Sequence, residues 1–217
     1  LADDVYDGLP YKKLKIPKTV EEVVLIDDSP IGRSPRSNPV TYVKAFDPIR
    51  KMFADTLESR SRNLTAGSFS FNVDGGRCTK CQGDGSLTID MQFMPDVFMQ
   101  CPECQGTRYQ KEVLEVTVRD RNIHEILQMT VREAFQFFRG EAPILSKLQP
   151  LIDVGLEYIQ LGQGAPTLSA GESQRLKLAS FLGTQRKKQT LFILDEPTTG
   201  LHPVDIEKLI ECFGALL

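Results

Sequence analysis

Two cysteine pairs with matched spacing limit most strongly what this chain can fold into. Cys78 and Cys81 form one C-x2-C pair, and 19 residues later Cys101 and Cys104 form another. This spacing is typical of a four-thiolate tetrahedral zinc site, in which each pair turns tightly and directs two sulfur atoms at one metal ion. Such a site has no open coordination position, so we expect the zinc to be structural rather than catalytic.

Disulfide bonds or a redox pair are the alternatives to zinc. We favour zinc because the pairs are matched and the composition is that of a cytosolic protein. The fifth cysteine, Cys212, falls in a predicted helix, where we expect a small buried apolar residue.

Composition sets the broad class of the protein. The 217 residues carry a net charge of −3, and 41% are hydrophobic and 25% charged, as in an ordinary globular protein rather than a disordered one. The length predicts one large domain or one domain with a substantial insertion. No apolar run approaches a membrane span and no secretory leader is visible, so the sequence predicts a cytoplasmic protein without membrane contact.

The overall charge excludes a globally basic nucleic-acid binder, yet residues 33–80 hold nine basic against four acidic residues. A local basic surface attracts an anionic polymer even when the whole chain is mildly acidic, although a solvated charged face is the plainer interpretation. The candidate DNA contacts are Arg33, Arg36, Arg60, Arg62, Arg77 and Lys80. Arg33 and Arg36 rank first because they lie on a long polar loop with three prolines.

Hydrophobic patterns predict an interrupted α/β fold. Short apolar runs at 23–26 and 190–194, each followed by two acids, are typical of buried parallel strands. Between and after them the periodicity predicts helices at 41–53, 123–138, 142–154, 168–182 and 205–213, and antiparallel strands at 87–93 and 113–118. We therefore expect an α/β core with a large, mostly helical insertion.

The second predicted strand ends in Asp195 and Glu196. A carboxylate at the carboxyl end of a buried strand can hold magnesium, and the next one can orient an attacking water, as phosphoryl transfer requires. Upstream, Ser169 to Glu172 satisfies the S-x-x-E capping box and so predicts a helix start. Its serine hydroxyl, Gly171 and the helix N-terminus together are also suited to bind a phosphate group.

Several motifs resemble known proteins. LSAGESQR followed by LFILDEPTTGLH resembles the signature motif, Walker B strand and D-loop of ABC-type ATPases. The cysteine array within FNVDGGRCTKCQGDG and CPECQGTRY, together with SPIGRSPRSNPVTY and DVGLEYIQLGQ, narrows this to the second nucleotide-binding half of the UvrA family. The resemblance runs from about Val23 to Phe213. Members of that family are damage-recognition ATPases of bacterial nucleotide excision repair, which belongs to the SOS response to DNA damage.

The resemblance implies a partial ABC-type nucleotide-binding domain of the P-loop NTPase class. Residues 1–29 would belong to the ATP-binding core, 30–167 to a signature-domain insertion with a zinc module at 75–110, and 168–217 to the signature helix, Walker B, D-loop and a further helix. Asp195 would bind magnesium and Glu196 would act on water. ATP bound by the other nucleotide-binding half would contact Ser169, Gly171, Glu172 and Gln174. Implied partners are damaged duplex DNA, a second copy of the intact protein and a UvrB-like protein that binds regions outside this chain.

The sequence departs from the family pattern in three ways. It contains no G-x-x-x-x-G-K-[ST] phosphate loop and stops before the family's histidine switch, so we expect an excised fragment that does not hydrolyse ATP alone. Asp28 stands at the position of the Q-loop glutamine, and Ala170 at that of a second signature glycine. These changes leave open the alternative that the chain comes from a paralogue with a role outside repair.

A zinc-dependent chaperone module of the DnaJ type is the alternative from another class. Residues 78–85 fit its C-x-x-C-x-G-x-G repeat, whereas residues 101–108 end in Arg108 and break it. This alternative leaves LSAGESQR and LDEPTTG unexplained.

Overall fold

A computed structural model of the chain describes residues 13, 15–32, 34–89, 97–182, 189–198 and 203–216. The α-helices of this part are α1 (Pro39–Tyr42), α2 (Phe46–Ala54), α3 (Leu57–Ser61), α4 (Lys111–Leu114), α5 (Ile123–Gln128), α6 (Val131–Phe137), α7 (Ala142–Asp153), α8 (Ala170–Leu182) and α9 (Pro203–Leu216). The strands are β1 (Glu22–Ile26), β2 (Ser86–Ile89), β3 (Val97–Gln100), β4 (Thr117–Val118), β5 (Arg121–Asn122) and β6 (Thr190–Leu194).

The two strands expected to be parallel pair with each other. β1 and β6 run parallel in a register that sets Glu22 opposite Thr190 and Ile26 opposite Leu194. The sequence separation is large, yet both carboxyl ends meet at one edge of the sheet. The prediction that these two strands are parallel is confirmed.

Among the described residues, one face of this strand pair is covered and the other is exposed, a difference that the sequence did not predict. Ile26 is fully buried, and Phe192 packs edge-to-face against Phe181 of α8 at 5.7 Å between ring centroids. On the opposite face Val23, Leu25, Leu191 and Ile193 are 40–59% exposed. The prediction of buried parallel strands therefore holds, among the described residues, for the face against which α8 packs.

One continuous apolar core joins the segment between β1 and β6 to the strand pair. Phe46 and Phe53 of α2 stack against Phe71 and Phe69 of the segment before the cysteines, with ring centroids 5.1 and 5.3 Å apart. The buried cluster continues without interruption through α5, α6 and α7 to Leu176 of α8. The phenylalanines at 69 and 71 are thus core residues, and apolar burial joins the insertion to the α/β part.

Two predicted helices are each divided in the structure. The predicted helix at 41–53 is interrupted after α1, where Lys44 takes a left-handed conformation with φ 60°. The predicted helix at 123–138 is interrupted at Met129, whose carbonyl accepts a hydrogen bond from Leu161, and Thr130 then caps α6. Hydrophobic periodicity continues through both interruptions because the shorter helices bury the same face.

The strand predicted at 113–118 is mostly wrong. α4 ends at Leu114, and only Thr117 and Val118 lie in a strand. Val113 and Val116 are both buried, so the apolar residues follow a spacing of three rather than the alternation of a strand. The predicted helices at 142–154 and 168–182 and the last helix are confirmed as α7, α8 and α9.

The cysteine region folds as two similar turns joined by the antiparallel pair β2–β3. Gln82 and Gln105, which follow the second cysteine of each pair, both have left-handed φ angles, 53° and 48°. Three residues later Gly85 and Arg108 match again, at 80° and 75°. The residue that breaks the sequence repeat therefore keeps its backbone conformation.

Within the described part of the chain, no helix has both the length and the apolar character needed to cross a bilayer.

Gly83 is tightly enclosed in the first cysteine turn. It has φ +91°, and an added Cβ would lie 2.1 Å from the backbone oxygen of Phe71. Gly140 has nearly the same φ, +92°, but open space around it. Gly140→Ala should lower the free energy of unfolding by about 1–2 kcal/mol from backbone strain alone. Gly83→Ala should lower it by about 3 kcal/mol or more, because backbone must also move.

Urea unfolding of the zinc-loaded variants measures this difference. Equal losses for the two alanine variants would show that the contact with Phe71 contributes nothing.

Candidate metal and nucleotide sites

The four paired cysteines converge on one point. Their sulfur atoms all lie within 4.8 Å of one another, with 3.9 Å between Cys78 and Cys101 and 3.6 Å between Cys81 and Cys104. Four sulfurs at the usual zinc distance of about 2.3 Å would stand about 3.8 Å apart in a tetrahedron. The cluster therefore has the donor set and the size to hold a metal ion such as zinc.

The surroundings of the thiols favour metal binding. All four cysteines are buried, and the Gly85 amide donates a hydrogen bond to the Cys81 sulfur at 3.3 Å. Burial opposes ionisation of Cys101, but hydrogen bonds from the backbone N–H groups of Cys104 and Glu103 and from neighbouring thiols outweigh it and lower the pKa of Cys101 to about 7. Burial raises the pKa values of Cys78 and Cys104, so Cys101 is the member of the cluster whose ionisation the fold favours. A thiolate, the form that binds metal, is thus accessible near neutral pH.

Cys212 lies apart from this cluster, as expected. It is buried, and its thiol donates a hydrogen bond to the backbone oxygen of Asp153 at 3.0 Å.

Two arginines attach the cysteine turns to the rest of the insertion. Arg36 donates two hydrogen bonds to Asp84 of the first turn, at 2.7 and 3.3 Å. Arg108 of the second turn lies over the ring of Phe71 and donates to the Gly162 carbonyl at 3.3 Å. The metal cluster is therefore connected to the segment after β1 and to the segment that leads toward α8.

A small cavity lies between the start of α8 and the acidic residues that follow β1 and β6. It encloses about 180 Å³ and is lined by Asp28, Ala170, Gly171, Gln174, Asp195 and Glu196. Sites that enclose a whole small molecule measure roughly 300–1,000 Å³, so this cavity could accept a phosphate group but not a whole nucleotide. Glu196 has φ 40°, a conformation that costs a non-glycine residue energy and is common at functional sites.

Gln174 and Lys177 of α8 fix the two strand ends. The Gln174 amide donates to the carbonyl of Ile26 at the end of β1 and to that of Asp195 after β6. Lys177 forms an ion pair with Asp27 and donates to Ser29 at 2.6 Å. These contacts were not predicted from the sequence; for Gln174 they are structural, and its predicted role in ATP binding stays a prediction.

The capping box at the start of α8 is confirmed. The Glu172 amide donates to the Ser169 hydroxyl at 3.2 Å, and the Ser169 amide donates to the Glu172 carboxylate at 2.8 Å. The serine and glutamate of the signature-like motif thus hold the helix start in shape.

The candidate DNA contacts are not gathered into one free basic surface. Arg36, Arg62 and Arg77 are paired with acids, and Arg60 lies 3.8 Å from Asp55. Lys80 is exposed beside the first cysteine pair. Arg33 and the D-loop residues 199–202 lie outside the described residues.

These features define a mixed helix–strand protein with a four-cysteine cluster, in which an LSAGE helix start meets an acidic strand end. That combination is the one that the ABC-type resemblance predicts.

Comparison with known proteins confirms the resemblance to UvrA. The chain is 52% identical to UvrABC system protein A of Salmonella typhimurium and to that of Escherichia coli K12, in each case over 212 residues and 98% of the chain. It covers 22% and 23% of those proteins, so it spans about a fifth of the length of the curated relatives it matches. No protein-family model matches the chain.

A solved structure agrees with the sequence comparison. The crystal structure of UvrA2 from Deinococcus radiodurans superposes with a TM-score of 0.86 at 48% identity, covering 91% of this chain and 24% of that one. The described fold is therefore that of the matching part of UvrA2.

We predict that Cys78→Ala releases the bound metal, because three thiolates no longer complete the tetrahedral set. Metal content measured on the purified chain should fall from about one zinc per chain toward none. Cys212→Ala, which removes a buried thiol outside the cluster, should keep its metal. Unchanged zinc in the Cys78 variant would contradict the site.

We predict a pH-dependent contribution from the Asp27–Lys177 contact. Hydrogen bonds from Lys177 and then from Ser29 lower the pKa of Asp27 to about 2, from an ordinary value of 3.8. The carboxylate therefore stabilises the folded chain above about pH 4, and this stabilisation is lost as the pH falls through the folded pKa.

The free energy of unfolding of the wild-type chain should exceed that of Asp27→Asn by about 0.5–1 kcal/mol at pH 6, and the difference should shrink toward pH 3. Taking the difference between two chains at each pH cancels the loss of metal in acid. Glu21→Gln, at an exposed carboxylate before β1, serves as the control, and a difference independent of pH between the wild type and Asp27→Asn would contradict the contact.

Proposed function

We propose that this chain is the DNA-binding and signature-motif portion of a UvrA-like damage-recognition ATPase that acts in bacterial nucleotide excision repair. The observation that carries the proposal is the cavity in which Gly171 of the signature-like motif meets Asp195 and Glu196. Its size suits a phosphate group and its metal ion, so a complementary half would have to supply the remaining contacts to the nucleotide. Close similarity to UvrA over nearly the whole chain supports the same conclusion.

Within this proposal, each part of the chain has its own role. Residues 1–29 complete the ATP-binding core up to the Q-loop, residues 30–167 form the insertion with its zinc module, and residues 168–217 supply the signature helix, Walker B and D-loop. Asp195 binds magnesium and Glu196 positions the attacking water. Ser169 and Gly171 contact the terminal phosphate of ATP held by the complementary half.

Zinc has a structural role in the proposal. The four cysteines would hold it, and the metal would fix the two turns from which Asp84 and Arg108 reach Arg36 and Gly162. The chain itself should not hydrolyse ATP, since its sequence holds no lysine-bearing phosphate loop. The intact protein would dimerise, act with a UvrB-like partner in the cytoplasm, and prefer damaged duplex DNA.

The acidic residues paired with the candidate arginines would have to be displaced by DNA phosphates. Exposed ion pairs such as Arg62 with Glu58 contribute little to stability, so DNA phosphates can replace the carboxylates at small cost. Lys80, exposed next to the first cysteine pair, is a candidate accessible to a phosphate. A paralogue with a role outside repair stays the second candidate, because Asp28 replaces the Q-loop glutamine.

DNA binding by the zinc-loaded chain over a salt series tests the proposal. The logarithm of the affinity should fall linearly with the logarithm of the salt concentration, and Lys80→Ala should lower that slope by about 1. Lys18→Ala, at an exposed lysine outside the basic stretch, should leave the slope unchanged. Salt-independent or absent binding would contradict the DNA surface, and equal affinity for damaged and undamaged duplexes would favour the paralogue.

A further inference from the structure

Tyr158 joins the helical insertion to the start of α8. Its hydroxyl donates a hydrogen bond to Oε1 of Glu172 at 2.9 Å. The same hydroxyl accepts one from Nη2 of Arg175 at 3.2 Å, and Nε of Arg175 donates to the carbonyl of Gly171 at 3.3 Å. One tyrosine thus contacts two residues on successive turns of the helix that carries the signature-like motif.

The segment around Tyr158 is firmly attached to the insertion. The amides of Val131 and Arg132 at the start of α6 donate to the carbonyls of Ile159 and Glu157, at 2.9 and 3.0 Å. The neighbours Leu156 and Ile159 are buried in the apolar core. Tyr158 itself is half exposed, so its ring adds little to the core, and its hydroxyl contacts stand out as its main role.

The contact with Glu172 has an electrostatic consequence. Glu172 places a carboxylate in the first turn of α8, where the signature motif would approach a terminal phosphate. A negative side chain at that point repels a bound anion. One carboxylate oxygen accepts from the Ser169 amide and the other from Tyr158, which is in turn bonded to the Arg175 guanidinium. The charge is therefore held in one orientation and partly compensated.

We propose that Tyr158 and Arg175 are positioning residues that hold the Glu172 carboxylate away from an incoming phosphate and thereby prepare the helix start for the nucleotide. This inference rests on the proposed function, because it takes the start of α8 as a phosphate contact. The inference adds that the insertion, through the hydroxyl of Tyr158, controls how the start of α8 contacts the phosphate. When that hydroxyl is absent, Glu172 can turn toward the phosphate and weaken nucleotide binding.

Tyr158→Phe tests the proposal in the full-length ATPase of which we propose this chain is a part. A hydrogen bond of ordinary strength predicts a rise in KM for ATP of about 3- to 10-fold, with kcat changed less than about twofold. Tyr42→Phe is the matched control, since this substitution removes a tyrosine hydroxyl that is hydrogen-bonded to Ser180 at the other end of α8. An unchanged KM in Tyr158→Phe, or an equal rise in both variants, would overturn the proposal.

A double-mutant cycle separates positioning from general damage. In Glu172→Gln the repelling charge is gone, so adding Tyr158→Phe should raise KM less than it does in the wild-type background. A helix start that is merely loosened would instead show the full effect of Tyr158→Phe in both backgrounds, and that result would overturn the proposal.

Hydrogen exchange on this chain alone keeps the inference distinct from the proposed function. The amides of Glu172 and Ser173, which donate to the hydroxyl and the carbonyl of Ser169, should exchange faster in Tyr158→Phe than in the wild type, and at the wild-type rate in Tyr42→Phe. If the full-length protein showed no ATPase activity while this exchange pattern held, the proposed function would fail and the positioning contact would stand. Unchanged exchange in Tyr158→Phe would overturn the contact itself.

Discussion

The parallel pairing of β1 with β6 is the constraint on which the rest of this structure depends. Residues 27–189 lie between the two strands, so the insertion must return the chain to within hydrogen-bond distance of its starting point. The entropic cost of closing so long a loop grows only slowly with length, provided that the loop is itself compact. The amide of Gln174 then joins both strand ends, and Lys177 fixes the residue that follows β1.

The four-cysteine cluster supplies part of that compactness. Its first turn is bonded through Asp84 to Arg36, and its second through Arg108 to Gly162. These partners lie near the two ends of the insertion, and residues close to them are joined directly, because the amide of Ala165 donates to the carbonyl of Ser37 at 2.7 Å. In the sequence the cysteine pairs look like a separate metal-binding unit. In the structure they link the segment that follows β1 to the segment that leads toward α8.

Much of this architecture could be predicted from local chemistry, and the rest could not for identifiable reasons. Cysteine spacing, the capping box at Ser169 and the apolar runs before paired acids depend on neighbouring residues, and the structure has the cysteine cluster, the cap and the strands where they were expected. Contacts such as Gln174 with Ile26 or Tyr158 with Glu172 join distant residues by single hydrogen bonds, which leave no periodic pattern in a sequence. The interruption at Lys44 was missed because the buried face continues across it.

Because one of its faces is exposed, we expect the β1–β6 strand pair to unfold before the segment around α2. A two-stranded sheet is marginal in water, and among the described residues α8 covers one of its faces, while the segment between the strands adds most of the apolar core and the cysteine cluster. We expect the free energy of local opening to be lower at the β1–β6 pair than around the buried phenylalanines that pack against α2. We therefore expect the end that carries the acidic cavity to open more readily than the segment around α2.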